Sequence, residues 1–265
     1  MPCPYSPLFL VNKGQRTKDK INKRNFQLMA KNNTGVLTLA VDIGGSGIKT
    51  IVLDESGEAV TKRNRVETPQ PPQPEAVLGA IVSLANAQGE FHRVSVGFPG
   101  VVRRGVVFTA VNLDPDWVEF DLATILSERL GKPVRVCNDA DIQGLGAISG
   151  VGVELVITLG TGFGTALFVD GKLVPNLEGG HHPFRKGETY EQQLGRAALE
   201  KVGEERWNKR VLKALRNWQN LFSCDRIYIG GGEAKKISVN LPDNVTIIPN
   251  ITGLLGGIAL WRGDN

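Results

Sequence analysis

The chain has 265 residues, 41% apolar and 22% charged, enough to bury the core of one large domain or two small ones. No apolar run approaches the ~18 residues of a membrane span, and three scattered cysteines (Cys3, Cys137, Cys224) form no C-x-x-C pair, which argues against an integral membrane protein, a zinc ribbon and a disulfide scaffold. Of 31 Lys and Arg residues, seven fall in positions 1–35 beside a single acid, Asp19; the other 230 residues carry 24 basic and 26 acidic groups, so the net charge of +4 gives no footing to a nucleic-acid reading.

Residues 1–35 lack sustained periodicity and read as a basic, disordered extension. Pro7–Val11 is too short for a signal-peptide core. The basic, acid-poor composition admits a transit peptide; a disordered arm, or a start at Met29, is favoured over it, and the protein is expected in the cytoplasm. From Val36 the pattern sharpens. Val36–Val41 reads as a buried strand, Asp42–Gly47 as a turn, Ile48–Leu53 as a second strand and Glu58–Arg63 as a third. Prolines 69, 71, 72 and 74 stiffen a loop before a helix over Glu75–Ala87. Val94–Phe98 is a strand, Leu122–Leu130 a helix closed by Gly131, and Val134–Cys137 a strand ending at Asn138-Asp139.

The opening pattern then returns. Leu155–Leu159 and Thr165–Val169 read as strands around Gly160–Gly164, followed by a tight Asp170-Gly171 hairpin. Trp207, Val211, Leu215, Trp218 and Phe222 share one face of a long helix; Arg226–Ile229 runs into Gly230–Gly232; Ile247–Ile248 is a short strand and Thr252–Trp261 a closing helix. Strand, glycine turn, strand and acidic-Gly turn thus occur twice, half a chain apart, which signals an internal duplication. The expectation is an α/β protein of two halves, 36–137 and 138–265, flanking a cleft, with the last helix (about 252–262) packing back on the first half.

Two glycine hairpins facing a cleft suit a phosphate chain, because glycine lets backbone N–H groups approach anionic oxygens. Gly44, Gly45, Ser46 and Gly47 form one turn, Gly160, Thr161, Gly162 and Gly164 the other, with a third glycine cluster at Gly230, Gly231 and Gly232. The Ser46, Thr161 and Thr165 hydroxyls could add donors. Walker A fails because Ile48 separates Gly47 from Lys49-Thr50, and the Rossmann fingerprint fails because both turns lead into strands. Asp42 beside a phosphate site suits a Mg²⁺ ion, held directly or through water; a hairpin-capping Asp is the plainer reading. Lys49 either neutralises phosphate or is an exposed strand lysine. Asp139, at the carboxyl end of a strand, either takes a proton from a hydroxyl or caps the following helix. Glu178 and His181, joined by glycines, can both reach one polyol, with Glu191 following; the alternative is a solvated loop.

With these pieces in order, the chain resembles the ROK sugar kinases, and within them the polyphosphate-dependent glucokinases. Val41–Lys49 matches the first phosphate motif, Leu159–Gly164 the second, Asn138-Asp139-Ala140-Asp141 the catalytic segment, Glu178–His181 the sugar-binding E-x-G-H and Gly230–Gly232 the nucleotide-side loop. The resemblance implies an actin-like ATPase fold of two ribonuclease H-like domains. It implies Asp139 as base, with Asn112, Asn138, Glu178, His181 and Glu191 on the sugar, and Mg²⁺ as cofactor. The implied reaction passes a terminal phosphoryl group from polyphosphate or ATP to the glucose 6-hydroxyl, in a protein that binds neither nucleic acid nor membrane, with a homodimer as the candidate assembly. Pro183–Thr189 replaces the cysteine-rich zinc loop of many ROK proteins, so no structural zinc is expected, and residues 1–35 are too short and irregular for the helix-turn-helix domain of ROK repressors.

The donor stays open at this stage. Lys201, Arg206, Lys209, Arg210, Lys213 and Arg216 on the long helix, or Lys235-Lys236, offer a basic track for a polyanion; a solvated helix face balanced by Glu200, Glu204 and Glu205 is the equal alternative. The rival functions are a non-catalytic sugar sensor on the same fold, an ATP-only hexokinase and an actin-like ATPase. Retention of Asp139 weighs against the sensor, and the Glu178/His181 pair against the ATPase.

Overall fold

The computed structural model describes residues 35–110, 113–249 and 252–262; the basic segment 1–34 and the expected sugar contact Asn112 lie outside the described residues. β1 (Thr38–Gly44) and β2 (Gly47–Leu53) pair as a hairpin from Thr38↔Leu53 to Gly44↔Gly47. β3 (Asn64–Val66) adds to the free edge of β2. α1 (Pro74–Asn86) then crosses over to β4 (Arg93–Phe98), which runs parallel to β1. A small hairpin of β5 (Val102–Arg103) and β6 (Val106–Val107) precedes α2 (Leu122–Leu130) and β7 (Val134–Asn138), parallel to β4. α2 ends as its sequence requires: Asp121 caps it by accepting from the Thr124 N–H at 3.1 Å, and Gly131 leaves it at φ 61°.

α3 (Asp139–Leu145) leads into the second sheet, where β8 (Val153–Leu159), β9 (Phe163–Val169) and β10 (Lys172–Val174) form an antiparallel meander. A hairpin of β11 (Pro183–Arg185) and β12 (Glu188–Thr189) and three helices follow: α4 (Tyr190–Leu194), α5 (Arg196–Val202) and α6 (Glu204–Phe222). β13 (Arg226–Gly230) and β14 (Val245–Ile247) complete the sheet in parallel, and α7 (Thr252–Ala259) follows. The sheet orders are β3-β2-β1-β4-β7 and β10-β9-β8-β13-β14. Each is a three-stranded meander with two parallel strands on the far side, so the duplication read from two glycine turns is a duplication of sheet topology.

Each sheet has its own core. Trp117, Phe98, Leu39 and Ile81 are buried in the first; Trp207, Leu194, Leu215 and Ile229 in the second. Full burial of side chains this size stabilises by about 1.5–3 kcal/mol each. The apolar face of α6 docks as expected, with Trp207, Val211, Leu215 and Trp218 buried and Phe222 half-buried at its end. α7 packs on α3 and on β1 and β4. Ser95 on β4 donates to the Gly257 carbonyl at 2.6 Å and accepts from Trp261 Nε1 at 2.8 Å, which fastens this helix to the first sheet. No helix among the described residues is long and apolar enough to cross a membrane.

The third strand is displaced from its expected place. Residues 58–63 make only an isolated bridge, Leu53↔Ala59, and regular pairing begins at Asn64. Gln88, arriving from beyond α1, inserts its amide there and donates to the carbonyls of Thr50 and Lys62 at 3.0 and 3.2 Å. That side chain takes the Thr50 and Lys62 carbonyls, while Val60 and Thr61 still bond Val52. The first glycine turn is also shorter than expected: Gly44 and Gly47 extend the ladder, leaving Gly45-Ser46 as the turn and placing Asp42 inside β1.

Candidate active site

The two glycine turns and the start of α3 open on one cleft of about 840 Å³, inside the ~300–1,000 Å³ usual for ligand sites. At the first turn, the Gly44 carbonyl accepts from Thr68 Oγ1 at 2.5 Å and the Ser46 carbonyl from Arg65 Nη2 at 3.0 Å. Two carbonyls that would repel an anion are thereby engaged. The Arg65 guanidinium lies so close over Gly47 that a Cβ there would sit 2.7 Å from Nε. At the second turn the Gly160 N–H bonds the Gly162 carbonyl at 3.1 Å, and the Arg196 N–H holds the Gly160 carbonyl at 2.9 Å. A Cβ on Gly162 would lie 2.2 Å from Glu191 Oε2, so the absence of a side chain is what seats Glu191 at this turn.

Asn138 and Asp139 divide the labour expected of either. Asn138, almost fully buried, caps α3: its Oδ1 accepts from the N–H groups of Ala140 and Asp141 at 2.8 and 3.2 Å, and its Nδ2 donates to the Gly100 carbonyl at 3.1 Å. One Nδ2 hydrogen remains for a ligand. Asp139 Oδ1 shares the Ala140 N–H, at 2.8 Å, and its carboxylate faces the cleft, its side chain open to solvent there yet within the fold. Burial pushes its carboxyl up to about 7, the negative charges of Asp42 and Glu178 add to the rise, and the Ala140 N–H opposes it. Beneath it Asp141 is buried with Oδ1 lacking a hydrogen-bond partner; burial pushes it to about 7 as well, with Glu178 and Asp139 adding and the Asn176 N–H opposing.

Glu178 heads a single 3₁₀ turn, Gly179–His181, with its Oε2 3.7 Å from His181 Nδ1. Burial raises the Glu178 carboxyl, Glu191 adds to the rise and His181 opposes it. Thr165 fixes this loop, accepting from the Gly179 N–H at 3.0 Å and donating to the Leu177 carbonyl at 2.6 Å. Thr165 also lines the cleft, but its hydroxyl proton is given to the Leu177 carbonyl rather than offered to a phosphate. On the opposite wall Lys49 Nζ meets Asp42 Oδ2 at 2.7 Å.

Asp42, Gly44, Gly45, Ser46, Gly47, Lys49, Asn138, Asp139, Gly160, Thr161, Gly162, Gly164, Glu178, His181, Glu191, Gly231 and Gly232 all line the cleft. Gly230 does not: it is buried against Gln143, whose Nε2 would lie 2.5 Å from a Cβ there. The proposed basic track is also absent from the lining, and its first member, Lys201, stands on α5 rather than on the long helix α6. Lys209 pairs with Glu205 and Lys236 with Glu204, each at 2.6 Å, while Arg210 donates to the Gln193 carbonyl and Lys213 sits over the Phe184 ring. Unforeseen lining residues are Arg63, Gln143 and Arg196, the last held by Glu233 at 2.8 Å. An Arg just before an edge strand and another at the start of a helix carry no local signature that separates them from ordinary surface cations.

Comparison with known proteins places this geometry. The chain is similar to the polyphosphate glucokinase of Mycobacterium leprae, 34% identical over 241 residues that cover 84% of this chain and 74% of that protein. It is equally similar to the polyphosphate glucokinase of Mycobacterium tuberculosis, 34% identical over 233 residues, covering 82% and 88%. Among solved structures, the inorganic polyphosphate/ATP-glucomannokinase from Arthrobacter sp. strain KM matches with a TM-score of 0.76 at 36% identity, over 84% of this chain and 97% of that one. The ROK family glucokinase from Streptomyces griseus in complex with glucose and AMPPNP matches in fold, with a TM-score of 0.69 at 24% identity over 85% and 99%. The fold is that of the actin-like ATPases, as in these neighbours. A profile described as ROK family matches residues 38–184, more than half of the sequence and all of it within the two repeated halves. The chain belongs to the ROK family.

Proposed function

We propose that this chain is a glucokinase that transfers a terminal phosphoryl group from polyphosphate or ATP to the 6-hydroxyl of glucose. The observation that carries the reading is Asp139: a carboxylate at the start of α3, next to the Asn138 cap and facing a cleft walled by two glycine turns, with its proton affinity raised to about 7. That value suits a general base working near neutrality. The 6-hydroxyl oxygen attacks the terminal phosphorus as its proton passes to Asp139, and the bond to the bridging oxygen breaks, releasing ADP or a polyphosphate one unit shorter. Asn138, Glu178, His181 and Glu191 hold the sugar; the two turns and Lys49 hold the phosphates. Positioning and electrostatics supply most of the barrier reduction.

A divalent cation fits this site. The described residues contain no cluster of three metal-ligating side chains, but Mg²⁺ commonly takes one or two carboxylates, waters and substrate phosphates. Asp42 borders the first turn, and its charge reaches Asp139. Mg²⁺ held there, directly or through water, would offset negative charge on the transferring phosphoryl group. Residues 36–137 and 138–265 would act as two lobes that close on glucose and exclude water, in a cytoplasmic enzyme.

The test is glucose 6-phosphate formation by purified protein with Mg²⁺, glucose or mannose, and ATP or long-chain polyphosphate. Turnover with glucose is expected with either donor. Binding of glucose without turnover from any donor would favour a sugar sensor instead.

A further inference from the structure

The strand register places a row of cations on the cleft face of the first sheet. Asp42 on β1 stands opposite Lys49 on β2, and Lys49 stands opposite Arg65 on β3. Residues directly opposite one another share a face, as do residues two apart along a strand. Arg63, in the irregular segment just before β3, lines the cleft, whereas Arg65 is outside that lining, its guanidinium lying over Gly47 beside the first turn. Lys49, Arg65 and Arg63 therefore lead from the first glycine turn outward to β3, the edge of the sheet.

These cations are differently committed. Lys49 is held by Asp42. Arg65 places one nitrogen on the Ser46 carbonyl and makes no ion pair among the described residues. Arg63 is exposed and likewise pairs with no acid among the described residues. By contrast Arg196, across the cleft, is held by Glu233, and α6 spends Lys209 on Glu205. An unneutralised guanidinium group in the cleft lining, with a second beside the first turn, favours an anion longer than the terminal phosphates that the turns themselves can bind. A nucleotide offers no charge beyond its three phosphates. A linear polyphosphate repeats its charge along its whole length, and guanidinium groups bind phosphate oxygens through charge-assisted, often paired hydrogen bonds.

We infer that Arg63 and Arg65, continuing from Lys49, form the track along which the internal phosphates of an inorganic polyphosphate donor leave the cleft across β3. This rests on the polyphosphate reading above. It assigns donor selectivity to the β3 edge and none to α6.

The experiment is steady-state kinetics of Arg63→Ala in the full chain, at saturating glucose, with long-chain polyphosphate, tripolyphosphate and ATP, each at low and high salt. Arg63 is exposed and outside the core, and a melting curve verifies that the variant folds. The KM for long-chain polyphosphate should rise about tenfold, the scale of one lost charge-assisted contact. The KM values for tripolyphosphate and ATP should rise far less. The salt dependence of the long-chain reaction should become shallower, and Arg63→Lys should restore part of the affinity. An equal change for all three donors, or none for any, overturns the track while leaving the donor reading intact. Wild-type turnover with ATP but not with polyphosphate overturns the donor reading and the track together.

Discussion

Lys49 Nζ and Asp42 Oδ2 meet at 2.7 Å across neighbouring strands, with both side chains open to the cleft. An ion pair this exposed contributes at most about 1 kcal/mol to stability, so its two charges are available for exchange with ligands. Lys49→Ala should leave the melting temperature nearly unchanged while raising the KM for ATP and polyphosphate and lowering kcat. Kinetics indistinguishable from wild type would return Lys49 to an ordinary strand lysine.

Asp42 also acts on Asp139. After burial, its negative charge is the largest cause of the raised Asp139 proton affinity. Removing a nearby negative charge favours ionisation, so Asp42→Asn should shift the Asp139 titration to lower pH. Carboxyl-carbon NMR of the metal-free protein measures this without reference to turnover. An unmoved or upward-shifted titration would contradict the electrostatic account of the site.

The same raised value makes a stability prediction. A carboxyl whose folded pKa lies above its unfolded one costs stability once pH exceeds the unfolded value, near 4, and the full cost is present above about 7. Asp139→Asn should therefore melt above wild type at pH 8, with the gap closing as pH falls toward 4. Equal melting temperatures at pH 8 would show that cleft solvent relieves the charge.

Gly162 couples backbone to sugar site. An added Cβ would meet Glu191 Oε2 at 2.2 Å, the far end of a movable side chain. Gly162→Ala should leave the fold intact and displace Glu191, raising the KM for glucose more than that for the donor. A KM for glucose unchanged within twofold would remove Glu191 from the sugar set.

Much of this site was legible because its parts are contiguous in the chain. Both glycine turns, the Asn138-Asp139 pair and the Glu178–His181 loop are short local runs whose chemistry can be read without knowing the fold. Arg63 and Arg196 were not, since an arginine gains its meaning here only from which sheet edge or helix start faces the cleft. The third strand was misplaced for a similar reason: residues 58–63 carry a plausible strand pattern, and Gln88, whose side chain takes the Thr50 and Lys62 carbonyls there, lies some twenty-five residues further on. At Asn138-Asp139 the local sequence alone favours an ordinary N-cap over a base. The backbone bonds show that Asn138 is the cap, taking the N–H groups of Ala140 and Asp141, while Asp139 shares only the first of these and still lines the cleft.

Glu154 gives a test of the fold apart from catalysis. It is fully buried and accepts five hydrogen bonds: from the N–H and hydroxyl of Ser149, the N–H groups of Gly150 and Val151, and the Tyr228 hydroxyl. Burial pushes the carboxyl up, but these donors outweigh it and hold the net value below the ordinary one. Glu154→Gln turns an amide donor toward those donors and should cost about 2–4 kcal/mol by urea denaturation. Because the folded pKa is depressed, the stabilisation is present above the unfolded value, near 4.5, and is lost as pH falls through the folded one. A loss under about 1 kcal/mol at pH 7 would show that this network relaxes around an amide.

The central claim is that Asp139 takes the proton as glucose is phosphorylated. The most direct measurement compares wild type with Asp139→Asn for glucose 6-phosphate formation from polyphosphate and from ATP, with glucose binding followed by calorimetry on the same samples. The amide keeps the shape and part of the hydrogen bonding but cannot accept the proton. The account predicts glucose affinity within a fewfold of wild type and turnover lower by about 10²–10⁴ with both donors. Turnover within a fewfold of wild type in the variant would contradict it.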